Sequence, residues 1–348
     1  MSGRVRVYGH ALGHSSFTQV TDGFRAALTA LDELAGFVPL DFYDEEAEYS
    51  GGGAPISVNT GMPSGVGLAS ALGHEHRLLM LAPNSDRIPA AMRKFLLQNA
   101  TGLLTPTTWA REVLDRVFAG ELPVWTVPHG LRGSHVVDPA ARVSEYNTAK
   151  RFYVLHMTST NSERKGTRLL LDAWRGFEQL QPYAELTVVC RYEGFAELKE
   201  RVQDDGLKRV HVLASDGMDR RAVFEMFSRH HVVCQPSRAE GFGLVPLEAK
   251  AAGLPVVMTG CTGHADHVAE GATVVVETGE DAPSDDMPGA RTPELTANAI
   301  GKALDEALQG YPALQEAALK KAADIQRRWS WENTTGAAMR DIIEEVSK

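Results

Sequence analysis

Along the chain, short runs of β-branched and apolar residues alternate with longer stretches whose apolar positions recur every three to four residues. The short runs predict strands. In the first part they are RVRVY (4–8), FVPLDF (37–42), PISVNT (55–60), RLLMLAP (77–83), ATGLLTP (100–106) and VWTVP (124–128). In the second they are RFYVLHM (151–157), ELTVVC (185–190), RVHVLAS (209–215), HVVCQPS (231–237), PVVMTG (255–260) and TVVVE (273–277). The stretches between them, among them FTQVTDGFRAALTAL, AAMRKFLLQ, TRLLLDAWRGFEQL, DRRAVFEMFSR and ELTANAIGKALDEAL, predict amphipathic helices. Strands that are apolar throughout, separated by helices, imply parallel sheets covered on both faces. Two such series imply two doubly wound α/β domains, 1–148 and 149–330, joined through the polar segment GSHVVDPAARVSEYNTAK (133–150). GGG (51–53) and the acidic EDAPSDDMPGARTP (280–293) predict loops, and RRWSWENTTGAAMRDIIEEV predicts a helix, a break at Trp329–Ser330 and a second helix.

Composition narrows the class. With 348 residues, 43% apolar and 23% charged, the chain has a globular balance and room for two domains. No eighteen-residue apolar run is present, so no integral membrane segment is expected, and MSGRVRVYGHALGHSS lacks the apolar centre of a signal peptide. The expectation is a cytoplasmic protein, with AMRKFLLQ as a helix that suits either a membrane surface or the cover of a sheet. The formal net charge is −10 and neither half has a basic excess, which disfavours a nucleic-acid partner. Cys190, Cys234 and Cys261 have no metal-type spacing, and two of them close apolar runs, so they read as small buried hydrophobes in a reducing compartment. With no HExxH and no Cys/His cluster, no metal is expected.

Candidate chemistry collects at strand ends, where open parallel sheets bind ligands. In the second domain these ends read TSTNSERKG (158–166), RYEG (191–194), SDGMD (215–219), PSRAEGFG (236–243) and TGCTGHADH (259–267). In PSRAEGFGLVPLEAKAAGLPVV, Gly241, Phe242 and Gly243 let the backbone approach a ligand, and a helix starting near Val245, with Pro246 in its first turn and Gly253 at its stop, offers free N–H groups to an anion. Glu240, one loop earlier, suits sugar hydroxyls beside such an anion. Glu248, in the first turn, suits a ribose diol or complements the helix dipole. In the first domain, Gly9, His10, Gly13 and His14 form a polar turn after the first strand, with Ser15 or Ser16 capping the next helix; it is neither a Walker loop nor GxGxxG. Asn84, Ser85 and Asp86 follow the RLLML strand, Asp86 as an acceptor-side group or a helix cap. His74, His76 and His129 read as structural.

PSRAEGFGLVPLEAKAAGLPVV resembles the signature of retaining GT-B glycosyltransferases of the large family 4 (group 1 type), PS-x-x-EGFG-x-x-x-LEA-x-A-x-G-x-PV, at every fixed position. SERKGTRLLLDAW, NATGLLTPTTWAREVLDRVF…VWTVPHGL and LAPNSDRIPAAM are similar to other parts of that family. The resemblance implies two Rossmann-like domains facing across a cleft, the first on the acceptor side, with a C-terminal helix (331–348) packing back on it. It also implies transfer of a sugar from a nucleotide-diphosphate donor, UDP- or GDP-linked, to an acceptor hydroxyl, with retention of configuration and without metal or other cofactor. Lys165 would reach the donor diphosphate, Glu240 and Asp86 would act at the reacting centre, and Glu248, Gly241, Phe242, Gly243, Leu244, Ser215 and Met218 would line the donor site. The family's usual arginine five residues before the lysine is Thr160 here, and Arg164 or Arg191 would supply the second positive charge. The acceptor is open: a glycan, a lipid-linked glycan, a protein, a small molecule or, less favoured, a nucleic acid. The alternatives are a nucleotide-sugar epimerase or hydrolase on the same scaffold, and a non-catalytic nucleotide-sugar-binding module.

Overall fold

A computed structural model of the chain describes residues 3–11, 16–40, 54–61, 73–131, 140–158, 163–216, 218–284 and 289–348. It divides into two compact units, Met1–Gly133 with Arg327–Lys348, and Ser134–Gln326. The division falls ahead of the helix Ala140–Ala149 rather than after it. That helix packs on the second unit, where the Tyr146 hydroxyl donates to Leu308 O (2.6 Å) and Arg142 Nη1 to Arg229 O (3.2 Å).

The first unit holds β1 (Val5–Gly9), α1 (Ser16–Ala30), β2 (Leu34–Pro39), β3 (Ile56–Asn59), β4 (His76–Met80), α2 (Ala90–Asn99), β5 (Gly102–Thr105), α3 (Thr108–Phe118) and β6 (Val124–Thr126). The strands form one parallel sheet in the order β2-β1-β3-β4-β5-β6. β3 and β5 are buried at every position, as strands covered by helices on both faces are. β2 begins earlier than the FVPLDF run implies, at Leu34, because Val5 pairs with it there. Helix α3 starts and stops where its sequence says it should. Thr107 caps α3 by accepting from Ala110 N (3.2 Å), and left-handed Ala119 (φ 48) and Gly120 (φ 83) end it.

The second unit holds α4 (Ala140–Ala149), β7 (Phe152–Met157), α5 (Thr167–Leu180), β8 (Ala184–Cys190), α6 (Tyr192–Asp204), β9 (Val210–Ala214), α7 (Arg220–Ser228), β10 (Val232–Gln235), α8 (Leu244–Ala251), β11 (Val256–Thr259) and β12 (Thr273–Val276). Its parallel sheet runs β12-β11-β10-β7-β8-β9. Alternate residues of β7 and β10 feed opposite faces: Phe152, Val154, Val232 and Cys234 join Trp174 in one core, while Leu155 and Val233 join Phe227 and Leu254 in the other. The segment 280–293 is more ordered than a loop. β13 (Asp281–Pro283) and β14 (Arg291–Pro293) pair antiparallel, with residues 285–288 outside the described set. Helices α9 (Ala297–Gln309) and α10 (Tyr311–Arg328) complete the unit, and the last residues of α10 pass into the first one.

After α10 the chain makes a short π turn (Glu332–Gly336) and ends in α11 (Ala337–Val346), which packs on the first sheet through Met339, Ile342 and Ile343. Trp331 explains two glycines. A Cβ on Gly23 would lie 2.1 Å from its ring, and one on Gly130, in the VPHGL turn, 2.4 Å from its Cα. The Thr335 hydroxyl donates to Pro128 O (2.6 Å) and Trp125 Nε1 to Glu345 (3.1 Å), fixing the segment to β6. Among the described residues no helix is long and apolar enough to cross a membrane.

Candidate functional site

In a doubly wound sheet, the crevice opens between the two neighbouring strands whose following connections run to opposite sides. In the second sheet those strands are β7 and β10. Their ladder runs through Val232–Val154 and Val233–Leu155. Beyond it, side chains replace backbone pairing: Gln235 Nε2 donates to Met157 O (2.9 Å), its Oε1 accepts from Met157 N (3.1 Å), and His156 Nδ1 donates to Cys234 O (2.8 Å). His156 Nε2 meets the Thr167 hydroxyl (2.9 Å), so its ring is wholly engaged, and burial depresses its pKa to about 4. The splayed strand ends are thus braced while their loops turn outward.

Gly166 brings those loops together. Its φ is +70°, and a Cβ there would lie 2.1 Å from the carbonyl oxygen of Pro236. Only glycine allows both the left-handed turn and that approach. Arg238 N donates to Arg164 O (2.9 Å), tying the two loops as neighbours. The two residues before Gly166 therefore meet the glutamate of the β10 loop: Lys165 Nζ lies 2.5 Å from Glu240 Oε1, and Arg164 Nη1 lies 3.2 Å from Glu240 Oε2 and 2.7 Å from Ala239 O. Burial would push the Glu240 carboxyl up. The Lys165 ammonium and the Arg164 guanidinium outweigh it and hold the group below the ordinary carboxylate range. Burial lowers the Lys165 pKa, with Glu240 pulling against it. Two cations against one carboxylate leave the crevice with a positive surplus, suited to an anion.

The tip TGCTGHADH, placed on the ligand rim by its composition, serves as a template for the Glu240 loop. Glu240 N donates to the Thr262 hydroxyl (3.0 Å), Gly263 N donates to Glu240 O (2.8 Å), and His267 Nε2 donates to Phe242 O (2.8 Å). A Cβ on Gly263 would strike the carbonyls of Glu240 and Gly241 at 2.5–2.6 Å. Gly243 (φ +93) caps α8, and a Cβ on it would lie 2.4 Å from the His264 ring. The His264 tautomer follows from its partner. The Thr259 hydroxyl spends its proton on Ser237 O (2.5 Å), so it accepts from His264 Nδ1 (3.3 Å). Nε2 is then a buried lone pair that meets no partner among the described residues. Burial depresses His264 to about 4 and His267 to about 3. Behind them Lys250, wholly buried in α8, donates to His267 O (2.8 Å) and Val268 O (3.3 Å).

Several sequence-derived candidates change position. Helix α8 begins at Leu244, one residue earlier than the motif implies, so Pro246 and Glu248 sit further in. Glu248 lies in the second turn, buried, because Gly243 rather than Leu244 takes the cap conformation. Arg164 stands beside Lys165 on Glu240, whereas Arg191, at the tip of β8, pairs with Glu193 (3.6 Å) and both are more than half exposed. Thr160 lies outside the described residues, as do Gly13 and His14. Ser215 N donates to Cys190 O and Met218 N to Ser215 O, a turn at the end of β9, with Met218 packed on the core beside Phe227.

In the first unit the corresponding crevice lies between β1 and β3. Gly9, at the tip of β1, is a packing glycine: a Cβ would meet the Thr60 and Thr21 hydroxyls at 2.3 and 2.4 Å, which bond each other at 2.8 Å. His10 lies beside Phe17, and Asp86 is half-buried in the loop after β4. His74 is structural: Tyr8 Oη lies 2.8 Å from its Nε2, and its Nδ1 donates to Ala54 O at 2.7 Å. Sequence reasoning passed over Lys250, His264 and His267. The available signal was a lysine inside a mostly apolar helix, one strand before two closely spaced histidines. Among the described residues the three cysteines are free and no cluster of His, Cys, Asp or Glu could hold a metal ion.

Two six-stranded parallel α/β units, the second with a cationic crevice facing a glycine-framed glutamate, define a GT-B chain. The fold matches solved structures over nearly the whole length: a sucrose-phosphate synthase from Thermosynechococcus elongatus (TM-score 0.71, 17% identity, 99% of each chain) and the Anabaena protein HepE in complex with UDP and glucose (TM-score 0.67, 14% identity, 99% of this chain and 100% of that one). Residues 141–286 match the family model described as glycosyl transferases group 1. A D-inositol 3-phosphate glycosyltransferase from Kribbella flavida is 36% identical over 121 residues, 34% of this chain and 28% of that protein. The lipopolysaccharide core mannosyltransferase LpsB from Rhizobium meliloti is 26% identical over 213 residues, 58% of this chain and 57% of that one. The chain thus matches under two thirds of the length of these curated relatives.

Proposed function

We propose that the protein is a glycosyltransferase that moves a sugar from a nucleoside diphosphate sugar to an acceptor hydroxyl. The observation that carries this reading is the convergence of Lys165, Arg164 and Glu240 at the β7/β10 crevice. Lys165, Arg164 and the free N–H groups at the start of α8 take the diphosphate. Glu240 accepts from hydroxyls of the transferred sugar and Glu248 from the ribose. As the bond from the anomeric carbon to the diphosphate breaks, negative charge grows on the leaving group, and fixed cations aimed there stabilise it without reorganising. The acceptor oxygen bonds to that carbon, and its proton leaves with the departing phosphate oxygen. Neutralisation by side chains makes the reaction metal-independent. Retention of configuration is part of the same reading and rests on the family signature around Glu240. A polyol or sugar acceptor is favoured by the names of the inositol-phosphate and lipopolysaccharide-core relatives.

The test is thermal stabilisation by UDP, GDP and ADP and their sugar conjugates without metal, followed by turnover with inositol phosphates and glycans. Binding at a hundredfold excess over Kd stabilises by roughly 2.7 kcal/mol. One nucleotide series should raise Tm clearly, and Glu240→Gln should abolish transfer. Failure of every nucleotide to shift Tm refutes the reading.

A further inference from the structure

The two cations assigned above to the diphosphate are held, in this structure, by the carboxylate assigned to the sugar: Lys165 at 2.5 Å and Arg164 at 3.2 Å from the two oxygens of Glu240. We propose that Glu240, by competing with phosphate for Lys165 and Arg164, makes this site selective for a glycosylated diphosphate over the free diphosphate. The proposal rests on the donor reading. A diphosphate that takes the two cations leaves a carboxylate only 7% exposed without its charge partners. Among the described residues no other cation reaches that carboxylate. Thr262 and Gly263 engage the backbone of Glu240, not its carboxylate, and His264 presents a lone pair rather than a proton at Nε2. A donor sugar brings hydroxyls that give the displaced carboxylate new hydrogen bonds. The free nucleoside diphosphate left after transfer keeps only its ribose hydroxyls, assigned above to Glu248, and brings none to Glu240. The carboxylate therefore opposes the product and tolerates the substrate, which is selection by a penalty on the wrong ligand. Glu240 thereby favours departure of the nucleotide once the sugar is gone.

The experiment compares wild type with Glu240→Gln, by isothermal titration calorimetry without added metal. The probes are inorganic pyrophosphate, UDP, GDP, UDP-glucose and GDP-mannose. Glutamine keeps the shape and some hydrogen bonding but no longer holds the two cations. The variant should bind pyrophosphate and the matching nucleoside diphosphate about tenfold more tightly, and the matching nucleotide sugar no more tightly, so the preference for the glycosylated ligand shrinks. Glu240→Asp keeps the charge, and with it the fold, but reaches less far, and it should tighten pyrophosphate binding by a smaller factor. This second variant decides the matter where the glutamine variant does not fold. Unchanged or weaker binding of pyrophosphate by the folded variants overturns the proposal. A wild type that binds none of the nucleotides or nucleotide sugars refutes the donor reading, and this proposal falls with it.

Discussion

Gly166 offers a test that separates backbone conformation from packing at the candidate site. Replacement by alanine places a methyl group in a left-handed turn (φ +70) and 2.1 Å from Pro236 O. The first effect alone costs about 1 kcal/mol. The second cannot be relieved by a rotamer change, because the obstacle is backbone, so the β7–α5 loop must move away from the β10 loop. Overpacking of this kind costs about 1–3 kcal/mol more. Gly206 is the internal control: it lies in the same unit with φ +65, and a Cβ there meets nothing within 4 Å. Urea unfolding should give about 1 kcal/mol for Gly206→Ala and about 3 kcal/mol for Gly166→Ala. Titration with the preferred nucleotide should add a second difference, since only Gly166→Ala shifts Lys165 and Arg164 from Glu240. Equal losses of stability in the two variants, with unchanged nucleotide affinity in both, would refute the view that Gly166 sets the approach of the two loops.

Other outcomes follow from the same geometry. Burial depresses His156, His230, His231 and His264 from 6.5 to about 4, so the folded chain keeps them neutral where the unfolded chain binds protons. Stability is then lost as pH falls from about 6.5 towards 4, by up to roughly 3 kcal/mol per group, and a Tm that stays flat between pH 7.5 and 5 would contradict it. Lys250 titrates in the other window: burial lowers its pKa from 10.5 to about 7, Glu270 opposing and Lys321 adding to the shift. Its penalty is full below pH 7 and is relieved as pH rises towards 10.5, so Lys250→Met should flatten the rise in Tm between pH 7 and 9.5 that the wild type shows. Gly23→Ala should cost about 3 kcal/mol through the clash with Trp331, read as early hydrogen exchange in α11, and protection equal to wild type would exclude it. His267→Phe, which loses the bond to Phe242 O, should lower turnover more than it lowers Tm, and a Tm loss with normal turnover would make His267 purely structural.

The alternation of apolar runs and amphipathic stretches determined the two doubly wound units, because strands buried on both faces leave few polar positions and helices covering them must show one apolar side. Val232–Gln235 and Ile56–Asn59 are buried at every position, with Gln235, Ser57 and Asn59 as their polar members. Glu240 and its glycine frame were legible because their motif is local, within one loop and one helix start, and Lys165 because it stands in a second local motif, SERKG, of its own loop. What the sequence left open was long-range. Whether Arg164 or Arg191 joins Lys165 depends on loops that approach each other only where Gly166 meets Pro236 O, 70 positions away in the chain. The roles of Lys250, His264 and His267 depend on which backbone groups of another loop need a partner once the chain has turned back on itself. Periodicity and composition do not encode that need. It exists only after close packing has taken particular carbonyls and amides out of water, where each must find a hydrogen bond or cost the fold its stability.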